Sequence, residues 1–257
     1  MACMAARSFL SAYLLVGLLN VISVATSNDQ GVIFTKPLLM PLLMAWLIAE
    51  TRSAWPTPLR LLLAGLAFAW LGDLLLMGDS DMLFALGIAA FLVTQVAYAY
   101  GYTRVEGIAF RRGIPHHSDA PVRGIVSRRP VTLLPFALFY VVLVLAIWPT
   151  ADQFRLPVLV YGICLVAMAM SALNLIGRAP AKAAWTTFGG AALFVSSDSL
   201  IALTSFGPVA DSPAMGALIM LTYVIGQGLI AVGLVTVVRD LRQVRAALTS
   251  STEAPSI

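Results

Sequence analysis

Two aspartates, Asp73 and Asp198, lie inside otherwise apolar stretches, LAGLAFAWLGDLLLMG and GGAALFVSSDSLIALT, and a lysine, Lys36, lies inside a third, VIFTKPLLMPLLMAWL. A carboxylate at bilayer depth costs roughly 2.5 kcal/mol or more, and residues kept there at that cost mark functional sites. Two carboxyl groups in different surroundings can divide the roles of general acid and general base, and a nearby cation favours the ionised member of such a pair. The same residue types also build proton relays in transporters. Ser196, Ser197 and Ser199 surround Asp198, but a serine nucleophile wants a histidine base. Both histidines, His116 and His117, stand in a separate basic stretch. The serines are therefore expected to bond backbone carbonyls or to orient the carboxylate. No cysteine or carboxylate cluster accompanies the histidine pair at ligand spacing, so no metal and no cofactor is expected.

The elements that must position these groups are membrane spans. Of the 257 residues, 60% are hydrophobic and only 11% charged, against about 25% charged in soluble domains. Eight apolar runs, at about 8–26, 32–50, 58–78, 82–103, 130–148, 156–176, 183–206 and 214–238, each approach the ~20 residues that cross a bilayer. They are too long, and alternate too little, for barrel strands. With the N-terminus inside, 14 of the 16 Lys and Arg residues fall in inner segments, six of them between residues 104 and 129. Only Arg155 falls in an outer loop, and Lys36 is intramembrane. The reading is an all-α, polytopic membrane protein: eight transmembrane helices in one bundle, both termini cytoplasmic, in the plasma (inner) membrane. Residues 1–245 form the single domain, 104–129 is a long basic loop lying flexibly on the cytoplasmic surface, and 246–257 is a disordered tail. A competing reading takes Arg7, the first apolar run and Ser23-Val24-Ala25 as a signal peptide. Cys3 and Cys164 give no disulfide framework, and the net charge of +4 belongs to loops rather than to a nucleic-acid module.

Direction sets depth. The third and seventh spans run inside to outside, which puts Asp73 and Asp198 roughly 6–12 Å below the outer hydrocarbon boundary at 1.5 Å per residue. Lys36 enters from outside into the same layer, and Asn20 of the first span joins it. Gln95 and Gln227 fall deeper, near mid-membrane. Facing inward is the low-cost solution for all of them, giving a polar pocket open toward the outer face. Trp46, Trp70 and Phe194 are read as packing or as the wall of an acyl-chain groove. A weak internal repeat is visible: Gly65-x7-Asp73 against Gly190-x7-Asp198, then Phe91-x3-Gln95 against Tyr223-x3-Gln227. Its two four-span halves would be parallel.

Lys36-Pro37-Leu38, Gly72-Asp73-Leu74-Leu75-Leu76, Phe91-x3-Gln95-x2-Tyr98, Phe194-Val195-Ser196-Ser197-Asp198-Ser199-Leu200 and Tyr223-x3-Gln227 together resemble the YhhN-like lysoplasmalogenase family. The resemblance spans residues 10–238. It implies an eight-helix membrane enzyme that hydrolyses the vinyl ether bond of a lyso ether phospholipid, releasing a fatty aldehyde and glycerophospho-ethanolamine or -choline. The family's paired aspartates carry over onto Asp73 and Asp198 as catalytic residues, and its lysine onto Lys36. Asn20, Gln95, Tyr98, Tyr223 and Gln227 join Lys36 as substrate-binding candidates. One departure stands out: the family pattern leads one to expect histidine where Gln95 stands, which bears on headgroup choice and pH dependence.

That chemistry suits the residues. Protonating the β-carbon of a vinyl ether makes an oxocarbenium ion, to which water adds. One carboxyl donates the proton and the other stabilises charge and activates water, as in glycosidases. The sequence leaves open which aspartate is the acid; the hypothesis taken is Asp198, with neutral sequence neighbours, as donor and Asp73 as base. Lys36 keeps a carboxylate ionised or binds the substrate phosphate. The partners expected are the lyso ether lipid and the surrounding membrane lipids, with no nucleic acid and with the oligomeric state open. The rival reading is a small proton-coupled transporter, and a third is a structural membrane protein.

Overall fold

A computed structural model describes residues 2–51, 55–111, 114–116 and 122–252. Arg52, Arg112 and His117 lie outside the described residues. The described chain folds as α1 (Ala2–Ala25), α2 (Asp29–Thr51), α3 (Thr57–Leu75) and α4 (Asp81–Thr103), then α5 (Ile125–Arg128), α6 (Leu134–Ile147), α7 (Arg155–Leu173), α8 (Ala181–Phe206) and α9 (Pro213–Thr252). Among the described residues, eight of these helices are long and apolar enough to cross a membrane, with α6 extended at its start by a 3-10 turn over Pro130–Leu133. The chain is an all-α integral, multi-pass membrane protein.

Local chemistry starts and stops the helices. Pro56 and Pro58 open α3, where a missing N–H costs nothing. Ser80 caps α4, its Oγ accepting from the Leu83 N–H (3.2 Å). Inside α2, Pro41 has no N–H to give the carbonyl four residues back. That freed carbonyl, on Pro37, instead accepts from Trp70 Nε1 at 2.9 Å, so α2's irregularity becomes a tie to α3.

Consecutive helices pack as antiparallel hairpins, α1 with α2, α3 with α4, and α8 with α9. Helix α9 also touches α1, α2 and α3, and α7 joins α4 to α8. Helix α6 packs only at the margin, on α7 and α8. The α8–α9 seam is the closest. A Cβ on Gly190 would lie 2.5 Å from Ile230 N and 2.7 Å from Gly226 O, and one on Gly233 would lie 2.6 Å from Thr187 N. Small residues that let backbones approach drive helix association where lipid removes the hydrophobic advantage.

One end of the bundle gathers arginines: Arg239 pairs with Glu50 (3.5 Å), Arg245 with Glu106 (2.6 Å), and Arg178 Nη2 donates to Val105 O (2.6 Å). The other end carries the stacked rings of Phe84, Phe154 and Phe206. Two expectations change. In the 104–129 connection the described residues are tied down rather than loose. Ala109–Arg111 pairs antiparallel with Ile114–His116, and Ile108 N and Ile125 N donate to Arg178 O and Ile176 O, both at 2.9 Å. Burial of Val105 and Ile108 in the core holds it there. The expected disordered tail is helical as far as Thr252, because residues 239–248 continue α9 with good helix formers; residues 253–257 lie outside the described residues. Helix α1, which the competing reading would remove as a signal peptide, packs on α2 and α9 with Tyr13 fully buried.

Candidate active site

Asp73 lies two residues before the end of α3 and Asp198 eight residues before the end of α8, both buried. Each is held by a tyrosine from another helix. Tyr223 Oη, from α9, donates to Asp73 Oδ2 at 2.7 Å. Tyr161 Oη, from α7, donates to Asp198 Oδ2, and Gln95 Nε2, from α4, donates to the same oxygen at 3.1 Å. Neither Oδ1 has a side-chain or backbone hydrogen bond among the described residues. The two carboxyls share no hydrogen-bond partner, but they are within electrostatic range of one another.

The aspartates face different surroundings. Asp198 lies on the wall of a cavity of about 60 Å³ between α4, α6, α7 and α8. Apart from Asp198 and Tyr161 that wall is apolar, with Phe84, Phe91, Leu143, Ile147 and Phe206 among its side chains. Asp73 does not line this slot. Its partner Tyr223 instead packs edge-to-face on Phe91 and tilted against Phe194, ring centroids 6.0 and 6.1 Å away, and Phe91 in turn forms slot wall. Gly72 makes room for that stack, since a Cβ there would lie 2.7 Å from the Phe91 ring.

The remaining candidates divide into separate groups. Lys36 is half-buried and within electrostatic range of Asp73, yet it makes no hydrogen bond or ion pair within 4 Å among the described residues. Asn20, fully buried, donates from Nδ2 to Thr35 Oγ1 (2.8 Å) and joins α1 to α2 without touching either aspartate. Tyr98 Oη donates to Gln227 Oε1 (2.8 Å), a fully buried pair between α4 and α9. Gln95 Oε1, Gln227 Nε2 and Asn20 Oδ1 are buried with no hydrogen-bond partner among the described residues. Gln95, expected in a deeper layer than the aspartates, reaches Asp198 directly. Depth along a helix locates the Cα, while side-chain length and direction also decide which polar groups meet.

Ser196, Ser197 and Ser199 all donate to backbone carbonyls, of Ala192, Ile219 and Val195. Trp46 and Phe194 are core, and Trp70 serves α2, so the slot's aromatic wall comes from Phe84, Phe91 and Phe206 instead. Cys164 is a free thiol, and no His/Cys/Asp/Glu group suited to a metal occurs among the described residues. Tyr161 escaped the sequence reading, because a tyrosine in a membrane helix is unremarkable by type. Its position was a usable signal: it lies six residues into α7, roughly 9 Å from the same bundle end as Asp198.

These features define a class: a polytopic helical membrane protein whose core holds two buried carboxyl groups, each fastened by a tyrosine hydroxyl, one of them on an apolar slot. A family model described as the YhhN family matches residues 31–234, and the chain belongs to that family. No solved structure matches it.

Proposed function

We propose that this protein is an integral membrane hydrolase that cleaves the vinyl ether bond of lysoplasmalogens, or of closely related lyso ether lipids. The products are a fatty aldehyde and glycerophospho-ethanolamine or -choline. The single observation that carries the reading is Asp198, a buried carboxyl on the wall of an otherwise apolar slot. Such a slot suits an aliphatic chain, and a proton donor at its wall suits an alkene carbon of that chain. Family membership agrees with a membrane lysoplasmalogenase-like activity.

The hydrogen bonds suit a proton donor. Asp198 Oδ2 accepts from both Tyr161 and Gln95, which is how the carbonyl oxygen of a neutral carboxyl behaves, and Oδ1 is left to carry the proton. In the proposed reaction Oδ1–H protonates the β-carbon of the vinyl ether. Positive charge then spreads over the α-carbon and the ether oxygen. Water adds to the α-carbon and gives up a proton to a carboxylate. The hemiacetal collapses: its hydroxyl proton returns to Asp198 as the carbon–oxygen bond to glycerol breaks, the glycerol oxygen takes the proton held by Asp73, and the aldehyde is left. Asp73 is the ionised partner, held by Tyr223 and by the field of Lys36. The partnerless Lys36 ammonium is available to a substrate phosphate. The arginine-rich end faces the cytoplasm of the plasma (inner) membrane, and the headgroup lies at the opposite end.

The test is aldehyde release from lysoplasmalogen by the purified protein, with the saturated alkyl ether as the analogue that must not be cleaved. Asp198→Asn and Asp73→Asn should each lower turnover by at least about a hundredfold. Full turnover in Asp198→Asn would overturn the donor assignment. Absence of aldehyde, with aspartate-dependent solute uptake into vesicles, would replace the enzyme with a carrier.

A further inference from the structure

At the arginine-rich end, between the start of α3, the end of α4 and the last turns of α9, lies a cavity of about 240 Å³. Its floor is apolar and buried: Pro58, Val105 and Leu241. Its rim carries Arg104, Arg242 and Arg245 against a single carboxylate, Glu106. Arg245 is committed to that residue, donating from Nη1 to Glu106 Oε2 (2.6 Å) and from Nη2 to the Glu106 carbonyl (2.9 Å). Arg104 stacks on Tyr100, its Cζ 4.5 Å from the ring centroid. Arg242 makes no hydrogen bond or ion pair among the described residues, and it also borders a neighbouring cavity of about 270 Å³ that Arg239 lines. The cluster thus holds positive charge in excess of its carboxylate, with one guanidinium uncommitted among the described residues.

The geometry points to a binding site for the phosphate headgroup of an anionic phospholipid. The site lies where the spans end, so its rim stands in the headgroup layer while its floor matches a glycerol backbone and the first chain carbons. Guanidinium forks match phosphate oxygens in shape and charge, and basic pockets between membrane helices bind anionic headgroups. This surface lies at the opposite end of the bundle from the Phe84, Phe154 and Phe206 cluster that borders the slot. It therefore stands or falls independently of the vinyl ether chemistry.

Native mass spectrometry of the full chain, titrated with phosphatidylglycerol or with phosphatidylcholine of matched chains, tests it. Phosphatidylglycerol should bind more tightly. Arg242→Gln, an exposed position with no partner to lose, should weaken it about fivefold, and Arg242→Gln with Arg245→Gln about twenty-five-fold. Equal affinity for the two lipids, or equal retention of phosphatidylglycerol by wild type and Arg242→Gln, overturns the site. Displacement by inorganic phosphate at matched concentration assigns the arginines to a free anion and also overturns it, whereas failure to displace supports the lipid. Should the double variant not fold, wild type still decides: affinity must fall as salt rises, and salt-independent binding refutes the proposal.

Discussion

Tyr161→Phe removes one oxygen from the wall of the slot and keeps its shape. Asp198 Oδ2 then loses the Tyr161 hydroxyl and retains only Gln95 Nε2, at 3.1 Å, the long end of the ordinary range. A hydrogen bond to a charged group contributes about 1.5–3 kcal/mol. If that is lost where the proton leaves Asp198, turnover falls about tenfold to a hundredfold. KM should barely move, because Phe84, Phe91, Leu143 and the other apolar walls remain. Melting in detergent should drop only slightly, since the carboxyl keeps one donor.

The assay is aldehyde release by purified protein across a range of lysoplasmalogen concentrations, read as separate kcat and KM values and paired with a thermal melt. Gln95→Leu should give a smaller loss of kcat. Combining both substitutions leaves a buried carboxyl with no donor, so the double variant should lose more stability than either single one. Full kcat in a properly folded Tyr161→Phe would refute the idea that Oδ2 is anchored so that Oδ1 can act. A rise in KM with kcat unchanged would reassign Tyr161 to ground-state binding.

Lys36→Met should raise KM more than it lowers kcat if the ammonium meets the substrate phosphate; the reverse split would make it a partner of Asp73 alone. Gly190→Val puts a side chain against the backbone of Ile230 and Gly226, atoms that cannot rotate away. The α8–α9 seam must part, so stability should fall by about 1–3 kcal/mol in a thermal or denaturant melt, and aldehyde release should fall with it because Asp198 lies two turns further along α8. Gln95→His places a group that titrates between about pH 5 and 8 beside Asp198. Its pH–rate profile should gain an ionisation that the parent lacks, and an identical profile would deny Gln95 any influence on the reacting carboxyl.

The spans were legible because each must bury some twenty consecutive backbone amides in hydrocarbon, a demand that leaves long apolar runs in the sequence. Helix α9 overran its expected end because the bilayer limits apolarity and not helicity: beyond Arg239 the chain leaves the apolar layer and stays helical. The aspartates and Gln95 stood out as polar groups in apolar runs, and Tyr223 as the aromatic of a repeated aromatic-x3-Gln pattern. Azimuth did not. Lys36 and Asn20 were expected in the layer of Asp73, yet Asn20 turns to Thr35, and Lys36 makes no hydrogen bond or ion pair among the described residues. Depth can be counted along one helix, whereas contact depends on the rotation and stagger of two. Tyr161 shows the complementary failure, a partner of Asp198 that is a residue too common in membrane helices to attract notice.

The repeat gains physical content from where its hydrogen bonds go. The aspartate of the first half is held by the aromatic of the second half's motif, Tyr223, and the aspartate of the second half is held by the glutamine of the first half's, Gln95. A third bond, from Tyr98 to Gln227, joins the two motif helices directly. The desolvation of Asp73 is offset by a donor only once α3–α4 has docked on α9, whereas Asp198 has Tyr161 from its own half and gains Gln95 from the other. The environments nevertheless differ. One carboxyl opens on an apolar slot beside a tyrosine, and the other sits behind an aromatic stack within the field of a lysine. An acid and a base working at one pH require that kind of inequality. Two matching sequence motifs whose aspartates have unequal neighbours provide it.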